Sequence, residues 1–339
     1  MFLKLKLNTL YSSLKFQLKL NVHTLGNYIF DASNTKIGLD LVFVVPSRDT
    51  GWILKGIAEE IKCRLVGKKC KIVFLGDNLP KAKTYFFMHY MFFYRYLCDT
   101  RLIKKKVIVW VTHFESEKHK IPDFLVCKLL GKASSLVCTN STLEKYLISK
   151  GMSPSKLTTI IGGADDERFL YDPSIKKEFV GLSSAYYERK SPDKIFELVK
   201  LMSNYNFLLL GKNWEKYPHF NQLNSLTNFT YLDIEYDEYP KYYSKMKVFL
   251  SLSTLEGGPI PLIEAMFCNA FPVVTDTGFA RDVIREGING FIIAADCDVS
   301  TIVNRIGKAY EIECDVSSSV IDYSWGNFVL NINQHLNLR

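Results

Sequence analysis

Short apolar runs recur along both halves of this chain, each closed by glycine, proline or polar residues and followed by a segment of helix length. In the first half they fall at 41–45, 71–75, 107–111 and 136–139. In the second they fall at 179–182, 207–210, 247–252 and 272–275, with helical segments at 192–202, 237–245, 261–268 and 280–286. Runs that are apolar throughout suit strands buried on both faces. Strand and helix in alternation restrict the fold to the α/β class, and twice over they imply two doubly wound, mostly parallel sheets. A chain of 339 residues fits two such domains better than one core. Ligands of such sheets bind beyond the carboxyl ends of the strands, so those loops and a cleft between domains are the expected site.

The N-terminus follows another pattern. Leu3, Leu5 and Leu7 alternate with Lys4 and Lys6, and Leu14, Phe16, Leu18 and Leu20 alternate with Lys15, Gln17 and Lys19. Period two predicts strands, and hence a β-hairpin extension over 1–25. Gly51-Trp52 opens a helical run to residue 65, the aromatic segment 85–97 reads as helix, and Asn140-Ser141 is placed to cap a helix at 143–150. The glycine and acid cluster Gly162-Gly163-Ala164-Asp165-Asp166-Glu167-Arg168-Phe169 marks the way out of the first domain.

Composition narrows the class. Hydrophobic residues make up 47% and charged residues 23%, which is globular. No stretch approaches the roughly 18–20 apolar residues of a membrane span, and the Lys–Leu alternation at the start is not the apolar core of a signal peptide. Eight scattered cysteines without a Cys-x-x-Cys suit reduced, cytosolic thiols better than a disulfide framework or a zinc site. Residues 1–150 hold 25 Lys and Arg against 11 Asp and Glu, and residues 151–339 hold 18 against 24. A basic half joined to an acidic half suggests different partners. The basic half fits an anionic membrane surface or a merely solvated face. No nucleic-acid motif accompanies it, so no nucleic-acid partner is expected.

The densest chemistry lies at 253–293. Ser253-Thr-Leu-Glu256-Gly257-Gly258-Pro259-Ile260-Pro261-Leu-Ile-Glu264-Ala-Met follows a strand and opens a helix. Among 17 glutamates, two that stand eight apart carry little weight by spacing alone; their context carries more. Pro261 suits a first helical turn, Glu264 is expected in that turn beside the positive end of the helix dipole, and the helix start offers free N–H groups to an anion or hydroxyl. The competing reading is an ordinary strand–turn–helix. Arg189-Lys190-Ser191-Pro192 occupies another strand-to-helix loop, with Ser191 at the N-cap position. The pair either neutralises a diphosphate or faces solvent. Gly51 follows the first strand, where backbone can approach a phosphate. His113 ends the strand 107–111 and is either structural or functional. Asp296-Cys297-Asp298 has the Asp-x-Asp form of some metal sites, but its position after a terminal strand argues against that role. No dinucleotide fingerprint or P-loop is present.

These residues resemble the retaining glycosyltransferases of family 4, of the bacterial polysaccharide and O-antigen type, over about residues 105–295. The likeness rests on Glu256-Gly-Gly-Pro-Ile-Pro-Leu-Ile-Glu264-Ala, the following Pro-Val-Val-Thr-Asp-Thr-Gly, Asn289-Gly290, the 162–169 cluster, Arg189-Lys190 and Tyr323-Ser324-Trp325. It implies a GT-B fold: two Rossmann-like domains facing a central cleft, with an acceptor domain at 1–165, a nucleotide-sugar domain at 166–320 and a helix at 321–339 crossing back. It implies transfer of a hexosyl unit from a nucleotide-sugar to a glycan or polyprenyl-linked acceptor with retained configuration. No metal or cofactor is implied, and the setting would be cytoplasmic, peripheral on the membrane. Glu264 would hold the ribose hydroxyls. Glu256 and the backbone of Gly257, Gly258, Pro259 and Ile260 would contact the donor sugar. Lys190 with Arg189 would stabilise the leaving diphosphate, Gly51 would lie at the phosphate-side loop and His113 beside the sugar. The chain departs from the family in having Leu182 where Arg is frequent and a single Gly51 where Gly-Gly is usual. A degenerate binding protein and a GT-B epimerase or phosphorylase remain alternatives.

Overall fold

A computed structural model describes residues 13–23, 38–46, 52–114 and 121–335. The chain divides into two compact units, one of Met1–Ile160 with Val329–Arg339 and one of Ile161–Phe328. The first holds β1 (Leu39–Val45), β2 (Cys70–Phe74), β3 (Ala82–Phe87), β4 (Lys106–Val111), β5 (Ser135–Cys138) and β6 (Leu157–Thr159), in the order β2-β1-β3-β4-β5-β6. The second holds β7 (Phe179–Ser183), β8 (Asn206–Leu210), β9 (Phe229–Leu232), β10 (Met246–Ser251), β11 (Phe271–Thr275) and β12 (Phe291–Ile293), in the order β12-β11-β10-β7-β8-β9. Every pairing in both sheets is parallel. The inner strands are sealed on both faces, as Val42 to Val45 and Leu208 to Leu210 show.

In the second sheet the chain runs outward through β7, β8 and β9 and then returns to lay β10 against the other side of β7. The loops after β7 and β10 therefore leave the sheet side by side in opposite directions. That reversal point is where open parallel sheets form their ligand crevice.

Two elements differ from expectation. Residues 13–23 form a helix, not a strand, while residues 1–12 and 24–25 of the expected hairpin lie outside the described residues. A period-two pattern also satisfies a four-residue repeat. Phe16 and Leu20 are buried, whereas Leu14, Leu18 and Val22 line the exposed side. Phe16 stacks on Tyr94 with centroids 4.3 Å apart. Lys19 donates to the carbonyls of Tyr94 and Arg95 at 2.7 and 2.9 Å, covering the end of the helix Tyr90–Tyr96, where carbonyls lack partners and a cation is favoured. The aromatic segment 85–97 also divides. Its first residues finish β3, a strand between two neighbours, and the helix starts at Tyr90 after His89 caps Met91 N–H. Aromatic residues favour strands wherever both faces are covered. Asn140 does cap its helix, accepting from Leu143 N–H at 2.8 Å.

The ends of the second unit are laced together. Ala164 forms a parallel bridge with Ser324, donating to Tyr323 carbonyl and accepting from Trp325 N–H, both at 3.0 Å. Gly163 allows the approach: a Cβ there would stand 2.8 Å from Trp325 Cε3 and 3.0 Å from Ser324 O.

Candidate functional site

The loop after β7 is fixed by its neighbours before any ligand arrives. Ser184 N–H donates to Leu210 carbonyl and Tyr186 N–H to Lys212 carbonyl, each at 2.9 Å. Gly211 makes that contact possible, since a Cβ there would fall 1.8 Å from Ser184 O. The loop ends in a 3-10 turn, Glu188–Lys190, and leads into the helix Pro192–Leu201. Ser191 between them has φ 56° and ψ 53°, a left-handed conformation costing a non-glycine residue roughly 1–2 kcal/mol. It stands at the N-cap position as expected, yet its hydroxyl makes no cap bond. It donates instead to Leu252 carbonyl at 2.8 Å, and Thr254 N–H donates to Arg189 carbonyl at 2.8 Å. The loops after β7 and β10 are thus tied across the reversal point.

This lacing brings Arg189 and Lys190 to Glu256, 66 residues beyond Lys190 in the sequence. Lys190 Nζ donates to Glu256 Oε1, and Arg189 Nη1 lies 3.3 Å from Glu256 Oε2 while donating to Leu255 carbonyl at 2.6 Å. The side chains of Lys190 and Glu256 are only 16% and 11% exposed, so water screens the pair weakly. Burial opposes the charge on Glu256, but Lys190 chiefly, with Arg189, outweighs it and holds the carboxyl below its ordinary value. Gly257, Gly258, Pro259 and Ile260 follow, half-buried, and lead into the helix Ile260–Phe267. Gly278, at φ 57°, brings the loop after β11 against them: a Cβ there would approach Pro259 Cδ to 2.7 Å. Leu182, at 3% exposure, belongs to the core, so Arg189 and Lys190 supply the charge at this loop.

Glu264 differs from expectation in its place on the helix. The helix begins at Ile260, so Glu264 falls in the second turn and not the first, and its side chain points inward at 2% exposure. Tyr236 donates its hydroxyl to Glu264 Oε1. Burial pushes the carboxyl up to about 7, although Tyr236, Tyr243 and Arg168 pull the other way. Tyr236 belongs to the 3-10 turn Tyr236–Glu238 and packs on Phe169 and Tyr239, with centroids 5.9 and 5.4 Å away. Arg168 lies 5.6 Å from the Tyr236 ring centroid and bonds Asp237 at 2.7 Å. Sequence reasoning passed over Tyr236; its one available signal was the i, i+3, i+7 spacing of Tyr236, Tyr239 and Tyr243, a single helical face.

The remaining expected residues lie elsewhere. His113 is in the first unit, half-buried just beyond β4, and Gly51 lies outside the described residues. Asp298 is the N-cap of the helix Val299–Glu311, accepting from Thr301 N–H at 2.7 Å and Ser300 Oγ at 2.9 Å. Among the described residues no group of three or more His, Cys, Asp or Glu is placed to hold a metal ion, and no helix is long and apolar enough to cross a membrane.

Residues 165–323 match the family of glycosyl transferases group 1. No curated protein matches the chain by sequence. Solved structures with the same fold include an Anabaena HepE crystal structure in complex with UDP and glucose, with TM-score 0.71 at 13% identity, covering 88% of this chain and 99% of that one. The lipopolysaccharide outer core galactosyltransferase WaaB, in its apo form, has TM-score 0.68 at 12% identity, covering 88% and 99%. Sucrose-phosphate synthase from Thermosynechococcus elongatus has TM-score 0.70 at 12% identity, covering 87% and 98%. The two parallel six-stranded sheets are those of the GT-B fold.

Proposed function

We propose, from the group 1 glycosyltransferase match over 165–323, that the chain is a family 4 enzyme moving a hexosyl unit from a nucleotide-sugar to a glycan or polyprenyl-linked acceptor, with retained configuration, in cell-surface polysaccharide synthesis. The observation that carries this reading is the convergence of Lys190 and Arg189 on Glu256 at the reversal point of the second sheet. The bond from the anomeric carbon to the diphosphate oxygen breaks, its electron pair leaves with that oxygen, and the acceptor hydroxyl oxygen bonds to the carbon while its proton passes to the departing diphosphate. The barrier lies largely in the charge gathering on the departing diphosphate. Lys190, Arg189 and the N–H groups at the start of the helix Pro192–Leu201 meet that charge from fixed positions. With those charges in place the reaction needs no metal or cofactor. Glu256 keeps both cations aimed while the site is empty, then faces the donor sugar with the Gly257–Ile260 backbone. Glu264 takes the ribose hydroxyls.

The test is a thermal-shift screen of nucleotide-sugars, followed by chromatography of nucleoside diphosphate released with lipid-linked acceptors. Donor-dependent stabilisation and acceptor-dependent release are expected. Stabilisation without release would favour a binding protein that has lost transfer, a reading to which Leu182 lends weight; a new sugar from donor alone would favour an epimerase.

We also propose that the first unit works at the cytoplasmic membrane surface. The helix at 13–23 exposes Leu14, Leu18 and Val22 at 64%, 65% and 50%, on the unit that carries the excess of Lys and Arg. Apolar contact plus attraction to anionic lipid is the usual means of interfacial binding. Leu14→Glu with Leu18→Glu is expected to cut co-sedimentation with phosphatidylglycerol vesicles at low salt by roughly tenfold. Equal sedimentation of the parent and the double variant would overturn this role.

A further inference from the structure

We propose that Tyr236 is the plug of the ribose seat: its hydroxyl occupies the carboxylate of Glu264 in the empty protein, and a nucleoside diphosphate must displace it. The proposal rests on the reading of Glu264 as the ribose-binding carboxylate and adds a gate to it.

A carboxylate that binds a ribose diol accepts two O–H donors, and so must be reachable. Glu264 is 2% exposed and is not. The group over it is a phenol whose O–H donates to Oε1, the same kind of bond a ribose hydroxyl would make. Tyr236 is 38% exposed as a whole, although its hydroxyl bonds the buried carboxyl. Swinging outward would cost the ring its contacts with Phe169 and Tyr239 and leave the rest of the core in place. The turn that carries it is lightly held at the surface. The turn Tyr236–Glu238 spans three residues, and its outer restraint is the Arg168–Asp237 pair, whose side chains are 38% and 85% exposed. Pairs that exposed hold little. Arg168 is also shared with Asp165 at 3.6 Å, so it stays in place when the turn moves. Burial and the neighbouring carboxylate push the phenol well up, which keeps it a donor throughout the working range.

The plug serves two ends. It supplies a donor to a buried carboxyl, and it makes donor binding conditional on a ligand that replaces that bond. A ribose with both hydroxyls does so; a dideoxyribose does not.

The experiment is isothermal calorimetry of the full chain and of Tyr236→Phe with UDP, GDP and ADP, and with the 2′,3′-dideoxy form of whichever binds. The plug predicts affinity about tenfold or more higher in Tyr236→Phe for the ribonucleotide, the scale of one hydrogen bond to a charged group, and a wider ratio between ribo and dideoxy ligands. Phenylalanine keeps the ring contacts, so a purely structural role would leave both readouts unmoved. Asp237→Ala, which frees the turn and leaves Tyr236 intact, is expected to tighten binding by about twofold. Ribonucleotide binding by the parent with unchanged or weaker affinity in both variants would overturn the plug and leave the donor site standing. Binding of no ribonucleotide by the parent or either variant would overturn the donor site and the plug together.

Discussion

Lys190→Ala is expected to slow sugar transfer at saturating donor by about a hundredfold or more, the scale seen when one fixed donor to a developing negative charge is removed. The size of the effect follows from how the side chain is held. Its backbone is the last position of a 3-10 turn, Lys190 N–H bonds Tyr187 carbonyl at 2.9 Å, and its neighbours on both sides are tied to the loop after β10. The backbone that carries the ammonium is therefore fixed before any ligand arrives. Arg189 does not substitute for it. At 41% side-chain exposure Arg189 is solvated, and part of its hydrogen bonding is spent on Leu255 carbonyl. The variant is also expected to lose stability, because Glu256 then keeps a largely buried charge with one partner instead of two. Turnover and urea unfolding measured side by side separate the two effects. Glu256→Gln in the same background should restore much of the stability and none of the rate. Near-normal turnover in Lys190→Ala would remove the lysine from the chemistry.

Glu264→Gln is expected to stabilise the protein and to weaken its binding of nucleotide. Burial holds the carboxyl at about 7 in the folded chain against an ordinary value of 4.5. Between those values the folded state keeps a proton that the unfolded state releases, so this residue makes folding less favourable as pH rises through that window. The penalty is absent below about pH 4.5 and complete above about pH 7. Glutamine has nearly the same shape and never ionises. The variant should match the parent in urea unfolding at pH 4 and exceed it by about 3 kcal/mol at pH 8. Calorimetry with UDP, GDP and ADP should show affinity lower by about tenfold or more, since charge-assisted bonds to the ribose are lost. Stability given up at a residue that serves binding is a familiar exchange. A variant less stable than the parent at pH 8 would mean that the ionised carboxylate is well paired, and unchanged nucleotide affinity would remove the ribose role.

The two sheets were legible because buried parallel strands announce themselves as unbroken apolar runs between breakers. Runs such as 41–45 and 272–275 fall on β1 and β11 within two residues. The strand Ala82–Phe87 was not, since its aromatics run straight into those of the next helix and only the pairing with β1 and β4 separates them. The helix at 13–23 was hidden by arithmetic: four apolar residues two apart fit a strand face and also two opposite helix faces. In the candidate site, Arg189, Lys190 and Glu256 could be proposed from the loops they occupy and Glu264 from the helix that follows, but not the closure of Lys190 onto Glu256, which depends on the strand order. The contact of Tyr236 with Glu264 spans 28 residues and two elements, and no local pattern encodes it.

The bridge between Ala164 and Ser324 has a consequence for how such chains diversify. The chain enters the second unit and leaves it through one doorway, with the two passing strands bonded to each other. Residues 161–328 are therefore a cassette closed at its own base, and a different cassette with the same closure could be spliced between 160 and 329 without lengthening either junction. Recombination at that doorway would exchange the whole second unit while the rest of the chain stays as it is.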